Sequence, residues 1–194
     1  MRLRRLTVSS FRNLTAVALE PSPRATVLVG ENGQGKTNLL ESVFFLTTLR
    51  PLRQARLAEL VRIGDENARV AGDFDGPGGT RAVAVEISPA GRSALLDGKP
   101  QDRLDTYFEG LAAVAFTPDD LLLVKGGPEG RRRFLDRAAF NRWPAVLAEA
   151  RDYVRALRAR NAALRAEGVD ADAVEQSFRE PLVRAGARLL RRRL

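Results

Sequence analysis

Residues 30–37 read GENGQGKT and match the phosphate-binding pattern G-x-x-x-x-G-K-[ST] at every fixed position. The glycines permit positive φ, so that successive backbone N–H groups can close around a phosphate. Lys36 offers a positive charge to the β- and γ-phosphates, and the Thr37 hydroxyl suits Mg²⁺. The sequence therefore predicts a site for ATP or GTP with Mg²⁺. The residues expected to bind the nucleotide are Gly30, Glu31, Asn32, Gly33, Gln34, Gly35, Lys36 and Thr37, with Thr37 also the metal ligand.

The elements around this motif are those that phosphate binding requires. The apolar run at residues 25–29 predicts a strand, and residues 36–48 carry apolar side chains at helical spacing. A helix that begins at Lys36 would direct its free N–H groups and the positive end of its dipole at the anion. A glycine-rich turn with a coincidental lysine would need neither flanking element.

The composition excludes several kinds of chemistry. Cysteine and histidine are both absent from the 194 residues, which removes disulfides, thiol nucleophiles, imidazole bases and the usual zinc ligand sets. The length suits one domain, or one domain and part of a second. No apolar stretch is long enough to span a bilayer, and the first residues lack the pattern of a secretory signal. We therefore expect a cytoplasmic protein with no membrane partner.

Positive charge is concentrated in the C-terminal third of the chain. The net charge is +8, and residues 128–194 carry 16 basic and nine acidic side chains. Such asymmetry favours a nucleic-acid partner for that region. A GC-rich genome is an equally good explanation of this charge, because 29 of the 32 basic residues are arginine.

The first part of the chain is mainly strand-like and the second is helical. Strands are predicted at residues 3–11, 16–19, 68–74, 81–87, 93–96 and 113–116, and the turns within 68–96 indicate an antiparallel meander. Thr117 and Pro118 begin a predicted short helix, with the Thr117 hydroxyl as its N-cap. We predict two domains, at residues 1–127 and 128–194.

Two apolar stripes follow in the helical region. A break is predicted at residues 167–170, and Pro181 is expected to kink the second helix. The stripes favour either a short coiled-coil arm or a packed helical hairpin. The first stripe comprises Leu147, Ala150, Val154, Leu157, Asn161 and Leu164, and the second comprises Val174, Phe178, Leu182, Ala185 and Leu189.

Several blocks of the chain together resemble the RecF family of bacterial recombination-mediator ATPases, which is related to the heads of structural-maintenance-of-chromosomes proteins. These blocks are LTVSSFRNL at 6–14, GQGKTNLLE at 33–41, LRPLR at 49–53, FTPDDL at 116–121, KGGP at 125–128 and RRRFLD at 131–136. The resemblance implies an α/β fold, that of a P-loop NTPase of the ABC/SMC-head type. Its mixed sheet would contain the antiparallel meander and would be followed by a helical, partly coiled-coil-like arm.

The resemblance also implies a function. Members of the family bind ATP, dimerise around it and act with RecR- and RecO-type mediators on single-stranded or gapped DNA, in DNA replication, recombinational repair and the SOS response. By resemblance, Arg12 and Asn13 at the end of the first strand would contact the nucleotide. Arg131, Arg132 and Arg133 are candidates for DNA phosphate contacts, or else form a solvated first turn of helix.

Motifs that the family needs for ATP hydrolysis are missing from the sequence, and two alternatives to a RecF-type repair protein therefore remain open. In the family, the Walker B aspartate, the catalytic carboxylate and the signature loop follow the arm, whereas this chain ends within it. We therefore expect the N-terminal portion of such a protein, with no catalytic residue and no turnover of its own. A weak DNA-stimulated ATPase is implied for the full-length family only. The alternatives are another SMC-like or overcoming-lysogenisation-type ATPase or nuclease head, and an inactive truncated remnant.

Overall fold

A computed structural model describes residues 1–53, 55–166 and 170–193 of the chain. The chain divides into two compact units, which meet in sequence between Phe116 and Thr117. The sequence predicts this boundary at residue 127, so the structure assigns the segment 117–127 to the helical unit.

The first unit is built on a six-stranded sheet with the strand order β2-β1-β3-β4-β5-β6. Each described ladder is antiparallel, and the meander predicted within residues 68–96 is confirmed as β3, β4 and β5. The strands are β1 Arg2–Phe11, β2 Leu14–Leu19, β3 Ala68–Gly76, β4 Gly79–Ser88, β5 Gly91–Leu96 and β6 Lys99–Pro100.

One face of the sheet is covered by the helix that follows the glycine-rich loop, α1 (Lys36–Thr48), which contacts β1, β3 and β4. Leu6 and Val8 of β1 alternate towards this core. Ser10 then has a φ of 53°, and the alternation shifts so that Phe11 is also buried against Phe45 of α1. The core continues into a one-turn helix, α2 (Leu104–Phe108), and a 3₁₀ turn lies at Leu57–Leu60.

Two of the predicted strands are wrong. Residues 26–29 and 113–116 form no ladder with any described strand. The side chains of Val27, Val29, Val114 and Phe116 are between 81% and 91% exposed. An apolar run becomes a strand only where a neighbour accepts its backbone hydrogen bonds, and composition alone does not reveal that neighbour.

The second unit is helical, as predicted. Its first element is a 3₁₀ turn, and the Thr117 backbone N–H and hydroxyl both donate to the Asp120 carboxylate, at 2.6 and 3.0 Å. The acceptor at this helix start is therefore the Asp120 carboxylate, and the Thr117 hydroxyl, predicted as the N-cap, acts as a donor. The elements are the 3₁₀ turn Pro118–Leu121, α3 Leu122–Lys125, α4 Pro128–Arg142, α5 Val146–Ala163 and α6 Ala171–Arg193.

The two long helices α5 and α6 pack on each other. The predicted stripe on α6 is confirmed, since its five members are all buried or half-buried. On α5, Leu147, Ala150 and Leu157 of the predicted stripe are half-buried, and Tyr153 packs inwards together with Ala150. Val154 of the stripe is 40% exposed, and Leu164, which follows the end of α5, is 37% exposed. The helix α6 continues without interruption through Pro181. Residues 167–169 of the break predicted at 167–170 lie outside the described residues, and the coiled-coil arm stays a prediction.

Candidate nucleotide-binding site

The loop at residues 30–37 has the backbone conformation that an anion cradle needs. Gly33 and Gly35 have φ values of 84° and 94°, in the left-handed region that side chains disfavour. The helix α1 begins at Lys36, directly after Gly35, and no side chain within the described residues caps its N-terminus. The first N–H groups of a helix have no partner within the helix. They therefore remain available for an anion at this end.

Gly35 lies tightly against the turn that joins β1 to β2. A Cβ atom at Gly35 would lie 2.6 Å from Cδ2 of Leu14 and 2.8 Å from Oδ1 of Asn13. A Cβ atom at Gly33 would have no heavy atom within 4 Å. The loop is therefore supported from behind by the β1–β2 turn and is open at Gly33.

The Lys36 ammonium lies over the loop. Its Nζ donates to the carbonyl oxygens of Gly30 and Glu31, each at 2.6 Å. Thr37 follows on the first turn of α1 and is exposed. A shallow groove of about 350 Å³ opens beside these residues and is lined by Lys36, Gly35 and the apolar segment 27–29, among others. Among the described residues, the loop thus brings together a cation, the exposed Thr37 hydroxyl and helix N–H groups that no side chain caps.

Arg12, expected by resemblance to reach the nucleotide, is paired with Glu41 of α1. Its Nε and Nη2 atoms each donate to a different carboxylate oxygen of Glu41, both at 3.1 Å. Its Nη1 donates to the backbone oxygen of Glu59 at 3.0 Å. Asn13, in contrast, touches the loop directly, because its Nδ2 donates to the Gly33 carbonyl at 2.8 Å. A contact of either side chain with a nucleotide stays a prediction.

A second set of side chains behind the loop was not predicted from the sequence and comprises Glu41, Asn38 and Arg53. The side chain of Glu41 is fully buried, and Arg53 donates to it at 2.9 Å and to Asn38 at 2.7 Å. Burial raises the pKa of Glu41, but hydrogen bonds from Arg12 and Arg53 outweigh it and hold the pKa below its usual value. One feature of the sequence could have indicated this ion pair. Glu41 lies on the same face of the helix as Ser42 and Phe45, and a carboxylate buried on that face requires a hydrogen-bonding or charged partner.

The acidic residues that the structure describes do not form a metal site by themselves. Across the described part of the chain, no group of three or more histidine, cysteine, aspartate or glutamate side chains is placed to hold an ion. A magnesium ion held by a P-loop has its remaining ligands from phosphate and water. The exposed hydroxyl of Thr37 fits that arrangement, and its coordination of Mg²⁺ stays a prediction.

The three candidate DNA-contacting arginines lie at the start of α4 and are exposed. Arg131 donates to the carbonyl of Gly126 at 3.0 Å, and Arg133 lies 3.8 Å from Glu129. Two of the three therefore interact with their own helix start. The contact with DNA stays a prediction. Among the helices described here, none combines the length and apolarity that crossing a membrane requires.

Comparisons with known proteins agree with this geometry. Residues 2–106 match the family described as RecF/RecN/SMC N terminal domain. The chain is 76% identical over 193 residues to a protein named DNA replication and repair protein RecF from Anaeromyxobacter sp. (strain Fw109-5), and 56% identical over 194 residues to its namesake from Myxococcus xanthus (strain DK1622). Each match covers 100% of this chain, which spans about half the length of these curated relatives, 52% and 51%.

Two solved structures are similar throughout the chain. They are described as the recombination mediator protein RecF–ATPrS and RecF–ATP in the RecFOR pathway. The TM-scores are 0.88 and 0.85, with 28% sequence identity in both. The matches cover 99% and 98% of this chain and 53% and 52% of those chains. The predicted fold, that of a P-loop NTPase of the ABC/SMC-head type, is thereby confirmed.

Proposed function

The chain belongs to the RecF/RecN/SMC N-terminal domain family, and on that premise we propose that it binds ATP with Mg²⁺ at the N-terminus of α1. It does so as part of a DNA replication and repair protein of the RecF type. The observation that carries this proposal is the loop at Gly33 and Gly35, whose left-handed glycines precede the uncapped start of α1. A backbone of this form gathers N–H groups around an anion.

Each group of the loop has a role in the proposed complex. The N–H groups of residues 33–37 bind phosphate oxygens, and Lys36 moves from the Gly30 and Glu31 carbonyls to the β- and γ-phosphates. Thr37 contributes one oxygen to Mg²⁺, and phosphate and water complete the coordination. The relatives in the RecF–ATPrS and RecF–ATP structures support ATP as the nucleotide.

The proposal also includes a role in DNA replication and repair for the full-length protein. The names of the relatives support a role in DNA replication and repair, rather than that of a nuclease head or an inactive remnant. We extend it to binding of single-stranded or gapped DNA, ATP-dependent homodimerisation of the full-length protein, mediators of the RecR and RecO type, the SOS response and a cytoplasmic location. The positive charge of residues 128–194 supports the DNA partner.

Titration with a fluorescent ATP analogue in the presence of Mg²⁺ tests the nucleotide site. We expect saturable binding to the wild-type chain, competition by unlabelled ATP and loss of binding in Lys36→Ala. The matched control is Lys99→Ala, which removes the same charge from an exposed position on β6, at the sheet edge farthest from β2. Equal affinity of wild type and Lys36→Ala would show that the loop is not the site.

A further inference from the structure

We propose that Glu41 is a positioning residue for the phosphate-binding loop, acting through Arg12, Asn13, Asn38 and Arg53. This inference rests on the proposed nucleotide site and concerns the residues behind it. The side chain of Glu41 is completely buried, and the hydrogen bonds described for it come from Arg12 and Arg53 rather than from the loop. Its effect on the loop is therefore indirect.

The side chains form a closed ring of interactions. Glu41 accepts from Arg12 and from Arg53, at 3.1 and 2.9 Å. Arg53 also donates to Oδ1 of Asn38 at 2.7 Å. Asn38 in turn donates from Nδ2 to Oδ1 of Asn13 at 2.8 Å, and Asn13 follows Arg12 in the chain. The ring thus returns to Arg12, with Glu41 as the anion between its two guanidinium groups.

The direction of each hydrogen bond is fixed by the one before it. The Gly33 carbonyl can only accept, so Asn13 must present its Nδ2 to the loop. Oδ1 of Asn13 is then the acceptor for Nδ2 of Asn38, which leaves Oδ1 of Asn38 for Arg53. The orientations of the Asn13 and Asn38 side-chain amides are therefore both determined. They form one directed path of hydrogen bonds between the loop and the two arginines that bind the buried Glu41 carboxylate.

Arg12 itself is held in an unfavourable backbone conformation. Its φ is 55°, which an arginine adopts only where surrounding contacts impose it. Those contacts are the two hydrogen bonds to Glu41, one to the Glu59 carbonyl, and the bond from its own N–H to Leu60 at 2.8 Å. Glu41 thereby helps to fix the turn from which the Asn13 side chain projects.

The consequence for the loop follows from peptide geometry. The carbonyl of Gly33 and the N–H of Gln34 belong to one planar trans peptide and point in opposite directions. Asn13 holds the Gly33 oxygen towards the β1–β2 turn, so the Gln34 N–H faces away from that turn. Gly35 is packed against the same turn, because a Cβ there would lie 2.8 Å from Oδ1 of Asn13. The ring therefore orients the N–H groups that the proposed site uses.

Glu41→Gln tests this role, because it keeps the shape of the side chain and removes the charge that receives both guanidinium groups. We expect the dissociation constant for the fluorescent ATP analogue with Mg²⁺ to rise about tenfold, as when a partner that orients a ligating group is lost. Asn13→Ala should raise the dissociation constant by a comparable factor. The dissociation constant of the double variant should be no higher than that of the single variant that binds less tightly. The matched control is Glu59→Gln, since Glu59 contributes only its backbone oxygen to Arg12 and its side chain is exposed.

Amide hydrogen exchange without nucleotide provides the readout that separates this inference from the proposed function. Peptides covering residues 30–37 should exchange faster in Glu41→Gln and in Asn13→Ala, while peptides from β4 exchange as in wild type. This result would support the positioning role even if no variant, wild type included, binds ATP. Unchanged exchange of the loop in a folded Glu41→Gln protein would overturn it, as would losses of affinity that multiply in the double variant. If Glu41→Gln does not fold, unchanged loop exchange and affinity in Asn13→Ala, whose side chain is exposed, would overturn it equally.

Discussion

The Tyr107 hydroxyl donates a 2.6 Å hydrogen bond to the carbonyl oxygen of Leu46, in the last turn of α1. That carbonyl is one of those that a helix end leaves without an intrahelical partner. Arg92 reaches the same end of the helix, donating to the Leu49 carbonyl at 2.5 Å. The helix that begins at the phosphate-binding loop is therefore fixed at its other end by side chains from α2 and β5.

Tyr107→Phe should lower the free energy of unfolding by about 1 to 3 kcal/mol, because it leaves the buried Leu46 carbonyl without a donor. Burial raises the pKa of Tyr107, so the hydroxyl is protonated and able to donate at neutral pH. Urea denaturation at pH 7 measures the loss. Tyr153→Phe is the matched control, since it removes the other tyrosine hydroxyl of the chain. Equal effects of the two substitutions would contradict the role assigned to the bond.

Glycine substitutions separate backbone strain from steric contact in the loop. Gly33→Ala introduces strain alone, at a φ of 84° with open space around the new Cβ, and should cost about 1 to 2 kcal/mol of stability. Gly35→Ala adds the overlap with Leu14 and Asn13 and should cost more than Gly33→Ala. Gly78→Ala serves as the control, because Gly78 has neither a positive φ nor a heavy atom within 4 Å of an added Cβ. Thermal unfolding of the three variants should give this order, and a Gly35→Ala protein as stable as Gly78→Ala would refute it.

Acid should weaken the Glu41 network in a defined direction. Because the pKa of Glu41 is lower in the folded chain than its usual value of 4.5, its contribution to stability is complete above about pH 4.5 and is lost as the pH falls through the folded-state pKa. We expect Glu41→Gln to be about 1.5 to 3 kcal/mol less stable than wild type at pH 7. That difference should shrink below pH 4.5. A difference that stays constant down to pH 3 would show that the charge of Glu41 does not stabilise the fold.

The loop and the meander could be predicted from sequence because their signals are local. The glycines, Lys36 and Thr37 are contiguous, and the turns between β3, β4 and β5 contain the residues that such turns favour. The second stripe was predicted correctly because its members recur at intervals of four, four, three and four residues, which is the spacing of one face of a helix. On α5, alanines and arginines surround both Tyr153 and Val154, so the pattern did not show which of the two faces inwards.

The network behind the loop could not be predicted in this way. Arg12 and Glu41 are 29 positions apart, and only the packing of α1 on β1 brings them together. The same holds for the apolar segments at 26–29 and 113–116, whose composition fits a strand although the described chain places no ladder partner beside them. Local pattern indicates what a segment prefers, and tertiary contacts decide which preference is realised.

The last prediction concerns the exposed arginines at the start of α4. If residues 131–133 contact DNA phosphates, replacing all three with alanine should weaken binding to every DNA sequence alike, because phosphate contacts position a protein without reading bases. Each neutralised phosphate contributes about 0.9 to the slope of log affinity against log salt on duplex DNA, so the slope should flatten by at most about three units. The matched control replaces Arg2, Arg4 and Arg5, three exposed arginines of β1, and removes the same charge from the other unit. Titration of a labelled gapped duplex at several salt concentrations measures both slopes. A slope that the first triple substitution leaves unchanged, or that both triple substitutions flatten equally, would show that residues 131–133 are a solvated helix start rather than a DNA contact.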